Sequence, residues 1–94
     1  MRIVWTPQAR RDLDAAFDYI VQHDPTAARS LYRRIRERVR GLAQHPRSGR
    51  PGREPGTREL VIAGTPYLVP YRITEREVQI LAVIHGARRW PDRL

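Results

Sequence analysis

The apolar residues in the first half of the chain recur at helical spacing in two successive segments. The first segment carries Ala9, Leu13, Ala16, Phe17 and Ile20 on one face, and the second carries Ala28, Leu31, Tyr32, Ile35, Val39 and Leu42. Each segment begins with a helix start signal, Thr6-Pro7 in one and Asp24-Pro25 in the other. The first residue of each pair can cap the helix, and proline loses no hydrogen bond at the first helical position. The pattern predicts two amphipathic helices that form an antiparallel hairpin.

The second half of the chain contains three segments typical of β-strands, at 57–63, 67–73 and 78–85. The turn sequences between them predict an antiparallel meander. Because Pro70 cannot donate a backbone hydrogen bond, we expect the middle strand to lie at an edge of the sheet or to carry a bulge there. The extended segment 2–5 is expected to join the same sheet.

Together these elements predict an α+β fold. An N-terminal strand precedes an antiparallel helical hairpin, which packs on a small antiparallel sheet in the order β-α-α-β-β-β. A chain of 94 residues has the length of one domain, and we expect a single domain over residues 1–94.

The charge of the chain changes the picture from a generic small domain to one with an anionic partner. There are 18 basic residues, all of them arginine, against 10 acidic ones, which gives a net charge of +8. Such an excess suits nucleic acid, a ribonucleoprotein or an acidic protein segment. The absence of lysine also fits the alternative that arginine content follows genomic base composition. No cysteine is present, and no apolar segment is long enough to span a membrane, so a cytoplasmic protein without membrane contact is expected.

Two segments concentrate positive charge outside the predicted elements. The basic loop, residues 44–56, combines three prolines and three glycines with Arg47, Arg50 and Arg53, and the C-terminal segment, residues 88–94, contains Arg88, Arg89, Trp90 and Arg93. The glycine-rich part of the loop lacks the Gly-Lys-Ser/Thr ending of a phosphate-binding loop. The three histidines are far apart in sequence and form no helical pair. We therefore expect neither a metal nor another cofactor.

The order of these elements and a set of short motifs resemble the RelE/ParE toxin superfamily. The motifs are Thr-Pro-Gln-Ala-Arg-Arg-Asp-Leu at 6–13, His-Pro-Arg-Ser-Gly-Arg at 45–50, Gly-Thr-Arg-Glu-Leu-Val-Ile at 56–62, Tyr-Leu-Val-Pro-Tyr-Arg-Ile at 67–73 and Val-Ile-His-Gly-Ala-Arg-Arg at 83–89. They cover almost the whole chain in the right order. The resemblance implies the toxin of a type II toxin–antitoxin module, which arrests growth and is neutralised by a cognate antitoxin protein. That partner is expected to cover a sheet edge or a groove between hairpin and sheet.

Two mechanisms divide this superfamily, and each points to different residues. RelE-like members resemble ribosome-dependent endoribonucleases that cut mRNA, for which Arg58 and Arg72 would clamp phosphate and His85 would carry the proton. Each of these residues also has a structural interpretation. His85 would cap the strand end, Arg72 would pair with Glu59 or Glu77, and Arg58 would protect a solvated edge.

ParE-like members are instead associated with poisoning DNA gyrase, without nuclease chemistry of their own. For that mechanism the candidate target-binding residues, besides the helical hairpin, are Arg50, Arg53, Arg88, Arg89 and Trp90. The chain has no lysine and no tyrosine after Tyr71, whereas ribosome-dependent members often carry a lysine cluster and a C-terminal tyrosine. The sequence therefore favours a ParE-like inhibitor of gyrase and replication, with a RelE-like mRNA endoribonuclease as the alternative.

Overall fold

The computed structural model describes residues 1–87, 90, 91 and 94, and in these a helical hairpin packs on one face of a six-stranded sheet. The strands are β1 (Arg2–Trp5), β2 (Arg50–Pro51), β3 (Arg58–Val61), β4 (Tyr67–Ile73), β5 (Glu77–Ile80) and β6 (Ile84–His85). The helices are α1 (Pro7–Val21) and α2 (Pro25–Arg40), and two short 3-10 turns follow at Gly41–Ala43 and Pro46–Ser48. No helix in these residues is long and apolar enough to cross a membrane.

The predicted helical hairpin is confirmed, including both of its start signals. The Thr6 hydroxyl accepts a hydrogen bond from the Ala9 N–H at 3.2 Å, and the Asp24 carboxylate accepts one from the Ala27 N–H at 3.0 Å. The buried residues of the helices are Ala9, Leu13, Ala16, Ala28, Leu31, Ile35 and Val39. Since these are predicted apolar positions, helical periodicity alone identified the faces that pack together.

The α+β class is confirmed, but the sheet is mixed rather than wholly antiparallel. Its strand order is β1-β5-β4-β3-β2, with β6 also paired to β4. Strand β1 runs parallel to β5, where Ile3 lies opposite Val78. A parallel pair needs a long crossover, and here the hairpin and the strands that follow it supply the connection. The basic loop also contributes the two-residue strand β2, which the sequence did not predict.

The position of Pro70 departs from the predicted edge. Strand β4 is central, with β3 on one side and β5 and β6 on the other. Tyr71 lies opposite Ile80 and Leu68 opposite Ile84, so three residues, 81–83, stand against two, 69 and 70. The predicted strand 78–85 is therefore two strands separated by a bulge. The bulge occurs where Pro70 has no N–H to donate, although it lies on the partner strand and not on β4 itself.

Helix α1 and its cap residue Thr6 form hydrogen bonds with the bulged segment and with the end of β5. The Asp12 carboxylate accepts a hydrogen bond from the N–H of Val83 at 3.0 Å. The Thr6 hydroxyl donates to the carbonyl of Ile80 at 2.8 Å, and the Thr6 N–H donates to the same carbonyl at 3.1 Å. The first turns of α1 are thus attached to the irregular part of the sheet.

Two apolar clusters lie on the two faces of the sheet. The main core lies between hairpin and sheet and contains Leu13, Ile35, Leu42, Leu60, Val69, Tyr71, Val78 and Ile80 among others. On the opposite face, Leu68, Ala82 and Ile84 form a smaller cluster against which Trp90 and Leu94 pack. The bulge places Ala82 and Ile84 in this second cluster, so it determines where Trp90 attaches to the sheet.

Replacing Asp12 with alanine should destabilise the fold by about 1–3 kcal/mol, because the N–H of the buried residue Val83 loses its acceptor. Asp12→Asn keeps an oxygen acceptor and should recover most of this loss. Urea unfolding followed by circular dichroism measures both. The matched control is Asp14→Ala, an exposed position on the same helix, which should shift the free energy of unfolding by less than about 0.5 kcal/mol. Equal midpoints for the two alanine variants would contradict this role of Asp12.

Candidate functional site

A buried carboxylate organises the basic loop. Glu59 on β3 is only 6% exposed. One of its oxygens accepts two hydrogen bonds from the guanidinium of Arg50, at 3.2 and 3.1 Å, and the other accepts the backbone N–H of Arg53 at 2.9 Å. Burial of a carboxylate is costly unless its oxygens are satisfied, and here both oxygens are. The conformation of the loop around Arg53 is therefore coupled to the sheet.

The second half of the basic loop is held by hydrogen bonds with Thr57, the residue that follows it. The N–H of Gly52 donates to the carbonyl of Thr57 at 2.8 Å, and the Thr57 hydroxyl donates to the carbonyl of Glu54 at 2.7 Å. A Cβ atom at Gly52 would clash with the side chain of Thr57, so this close approach requires glycine.

The structure brings Arg53 and Trp90 together, although their residue numbers differ by 37. The guanidinium carbon of Arg53 lies 3.8 Å from the centroid of the Trp90 ring. Trp90 also packs against the second apolar cluster. Two of the predicted target-binding residues thus belong to one surface, and Arg50 binds the same carboxylate, Glu59, as the backbone of Arg53. Arg88 and Arg89 lie outside the described residues.

The hydroxyl of Tyr71 holds the first half of the basic loop through two hydrogen bonds. Its hydroxyl donates to the carbonyl of Pro46 at 2.6 Å and accepts the N–H of Gly49 at 2.9 Å. Burial raises the pKa of Tyr71 above the ordinary value, an effect that the Gly49 hydrogen bond and the nearby Arg58 charge partly oppose. Sequence reasoning did not assign this role to Tyr71, because its partners are backbone groups that no sequence pattern identifies.

The three candidate ribonuclease residues do not form one constellation. Arg58 lies opposite Tyr71, whereas Arg72 lies opposite Gln79, so the two arginines project from opposite faces of the sheet. His85 lies opposite Tyr67, which is four residues along β4 from the Arg58 position, or about 13 Å. No single phosphate could be contacted by all three side chains in this arrangement.

Each of these residues has its own surroundings. One guanidinium nitrogen of Arg58 donates to the carbonyls of Gly49 at 2.7 Å and Arg47 at 3.3 Å. His85 accepts the N–H of Ala87 at 3.2 Å, and its ring meets the edge of Tyr67 at a centroid distance of 5.3 Å. Arg72 is half-buried. The carboxylates considered as its partners pair elsewhere, Glu59 with Arg50 and Glu77 with Arg2.

A groove of about 650 Å³ runs between α1 and the bulged segment. Its walls include Gln8, Asp12, Ala15 and Ala16 from α1, residues 81–85 from the sheet, and Trp90 and Leu94. Strand β6 forms one rim and is paired only with β4, so its other edge is open in the described part of the chain. From the sequence we expected the antitoxin at a sheet edge or in a groove between hairpin and sheet. Ala16 was assigned only to the apolar face of the helix, and Ala15 gave no signal, because alanine is an ordinary helix-forming residue.

A second groove of about 380 Å³ continues from the first at Tyr67 and His85. It lies between the hairpin and the β3–β4 turn, and Tyr19, Ile20, Ala27, Leu31 and Arg34 form its helical wall. Over residues 1–87, 90, 91 and 94, no group of three His, Asp or Glu side chains is arranged to hold a metal ion.

Comparison with known proteins connects this geometry to a family. The profile of a family described as the ParE toxin of the type II toxin–antitoxin system parDE matches residues 3–90. The chain belongs to the ParE toxin family. The resemblance to RelE/ParE toxins is thereby confirmed, and so is the assignment as the toxin of a type II toxin–antitoxin system, which implies a cognate antitoxin as its partner.

Two relatives match this ParE-family toxin over nearly their full length. Y4kP of Sinorhizobium fredii is 50% identical over 93 residues, which cover 99% of this chain and 96% of that protein. Toxin RelE2 of Caulobacter vibrioides is 37% identical over 87 residues, covering 93% of this chain and 97% of the relative.

Two solved structures share the fold of this toxin. The chromosomal ParDE toxin–antitoxin system from P. aeruginosa contains a chain that is 35% identical, with a TM-score of 0.83 over 90% of this chain and 95% of the other. The YoeB dimer from Staphylococcus aureus superposes with a TM-score of 0.58 at 16% identity, over 87% and 92% of the two chains. The second likeness concerns the fold alone.

Tyr71→Phe should destabilise this toxin by about 1–3 kcal/mol at neutral pH, since the buried Gly49 N–H loses its acceptor. The pKa of Tyr71 is raised by folding, so its contribution is complete below pH 10 and is lost as the pH rises through the folded value. The stability difference between wild type and variant should therefore shrink above pH 10.

Chemical denaturation at pH 7 and at several values above 10 measures this difference. Tyr32→Phe is the control, because the Tyr32 hydroxyl only accepts a long hydrogen bond, 3.4 Å, from exposed Arg36. A difference between wild type and Tyr71→Phe that stays constant above pH 10 would argue against the assigned cause of the shift.

Proposed function

We propose that this toxin arrests bacterial growth by binding DNA gyrase, and not by cleaving mRNA. The observation that carries the proposal is the separation of Arg58, Arg72 and His85 over two faces and two ends of the sheet. Cleavage through a ribose hydroxyl needs a proton acceptor and a charge stabiliser that reach the same phosphate. Arginine stabilises charge but does not release its proton at usable pH, so the two arginines cannot replace the distant histidine.

Membership of the ParE family supports the same target, because ParE-like toxins are the branch associated with gyrase. The 35% identity to a chain of a ParDE system adds to this support. The surface proposed for the target comprises Arg50, Arg53 and Trp90, together with Arg88 and Arg89, which belong to the same C-terminal segment of the sequence as Trp90. These guanidinium groups suit carboxylate and phosphate groups on a large anionic partner.

A second candidate function is ribosome-dependent mRNA cleavage. It is favoured by the 37% identity to a relative named toxin RelE2. In this alternative Arg58 and Arg72 would clamp phosphate and His85 would carry the proton, and the side chains would have to approach one another on the ribosome.

Induced expression of the toxin alone distinguishes the two. We expect growth arrest with filamentation and a DNA damage response while translated mRNA stays intact, and purified gyrase should lose supercoiling activity on addition of the toxin. Arg72→Ala and His85→Ala should both still arrest growth. Rapid cleavage of translated mRNA, abolished by either substitution, would replace this proposal with the nuclease function.

We infer that the cognate antitoxin places an apolar segment with flanking acidic residues in the groove beside α1. The groove walls are largely apolar, with Ala15, Ala16, Leu81 and Ile84 on its two sides. The unpaired edge of β6 offers backbone groups to an extended segment. The net charge of +8 favours acidic residues at the rims of that segment.

Ala15→Trp should fill the groove and weaken neutralisation while leaving toxicity in place, because the exposed side chain projects into the space that the antitoxin needs. Growth of cells that co-express the antitoxin measures the effect, with a loss of rescue expected. Asp18→Trp, exposed on the same helix but outside the groove walls, is the matched control and should be neutralised like wild type. Full rescue of Ala15→Trp would place the antitoxin elsewhere.

A further inference from the structure

Trp90 contacts two different kinds of group. It packs on the apolar cluster of Leu68, Ala82 and Ile84 at the outer face of the sheet. Over the ring lies the guanidinium of Arg53, 3.8 Å from the centroid. This separation is well inside the range of about 6 Å within which a cation is attracted to an aromatic face.

The position of Arg53 is set by the sheet and not by the C-terminal segment. Its backbone N–H donates to the buried carboxylate of Glu59 at 2.9 Å. A salt bridge of 3.1 Å from Arg50 holds that carboxylate in place. The hydrogen bond from the Gly52 N–H to the Thr57 carbonyl holds the second half of the loop. Arg53 therefore meets Trp90 with its backbone already fixed, which lowers the entropy lost when the contact forms.

Trp90 lies in a segment whose other residues are mainly charged. Arg88, Arg89 and Arg93 surround it in the sequence, and among the described residues of this segment Trp90 and Leu94 pack against the apolar cluster.

We infer that Arg53 is a positioning residue whose contact with Trp90 latches this ring to the basic loop, so that the ring and the loop present one surface to an anionic partner. The toxic importance of that surface rests on the proposed function. The latch itself does not, because it depends only on Glu59, Arg53 and Trp90. The guanidinium holds the indole by charge and stacking, and a neutral side chain of similar length would not.

The test uses full-length toxin carrying Trp5→Phe, so that Trp90 is the remaining one of the two tryptophans. Acrylamide quenching of Trp90 fluorescence reports whether its ring is covered. In Arg53→Gln the population with an uncovered ring should rise about tenfold, and quenching should increase accordingly. The amount of toxin needed for half-maximal growth arrest should also rise about tenfold.

Two further variants separate the latch from loss of charge or of fold. Arg53→Lys keeps a cation that can sit over the ring and should recover part of both effects. Arg76→Gln removes the same charge at an exposed position in the β4–β5 turn and should change neither quenching nor growth arrest. Thermal unfolding of every variant should stay close to that of the Trp5→Phe parent, which shows that the fold survives.

Unchanged quenching in Arg53→Gln would overturn the latch. Increased quenching with undiminished growth arrest would overturn the positioning role. Neither result depends on the target, because growth arrest is scored whether gyrase or mRNA is attacked. Cleavage of mRNA by the wild-type toxin would refute the proposed function alone, and the comparison of Arg53→Gln with Arg53→Lys would still decide the latch.

Discussion

Pro70 lacks the N–H that other residues of the central strand can donate, and much of the arrangement around the candidate sites depends on this missing hydrogen bond. The neighbouring segment bulges at 81–83, where the Thr6 hydroxyl donates to the carbonyl of Leu81 at 3.3 Å and the Asp12 carboxylate accepts the N–H of Val83. The same bulge ends the pairing of β5 with β4 and turns Ala82 and Ile84 toward the outer face. Among the described residues it also leaves one edge of β6 without a partner strand. One missing donor thus shapes both the groove beside α1 and the surface on which Trp90 lies.

A second constraint operates at the other side of the sheet. The buried carboxylate of Glu59 must be satisfied, and the groups that satisfy it belong to the basic loop. The loop is consequently held as part of the sheet, although its composition resembles a mobile linker. Tyr71 adds a further attachment at Pro46 and Gly49. Gly56, the last residue of the loop, has a φ of 78°, which a residue without a side chain adopts readily.

The two constraints meet at Trp90. Its ring forms part of the groove wall proposed for the antitoxin and also carries the guanidinium of Arg53 from the basic loop. An antitoxin segment in the groove and a target on the basic surface would therefore both be neighbours of one aromatic side chain. An antitoxin segment bound in the groove would thus contact a residue of the surface proposed for toxicity, and no change in the core would be needed.

Sequence alone determined the helical hairpin, its caps at Thr6 and Asp24, the α+β class and the family. These features depend on local spacing, on capping chemistry and on motifs that follow one another along the chain. It also identified Arg53 and Trp90 as separate candidates, while Tyr71, Asp12 and Glu59 gave no signal of their organising roles. Tertiary structure decided the parallel pairing of β1, the bulge opposite Pro70, the separation of Arg58 from Arg72 and His85, and the contact of Arg53 with Trp90. The reason is that strand register and face arise from pairing between distant segments, and a shift of one residue moves a side chain to the other face of the sheet.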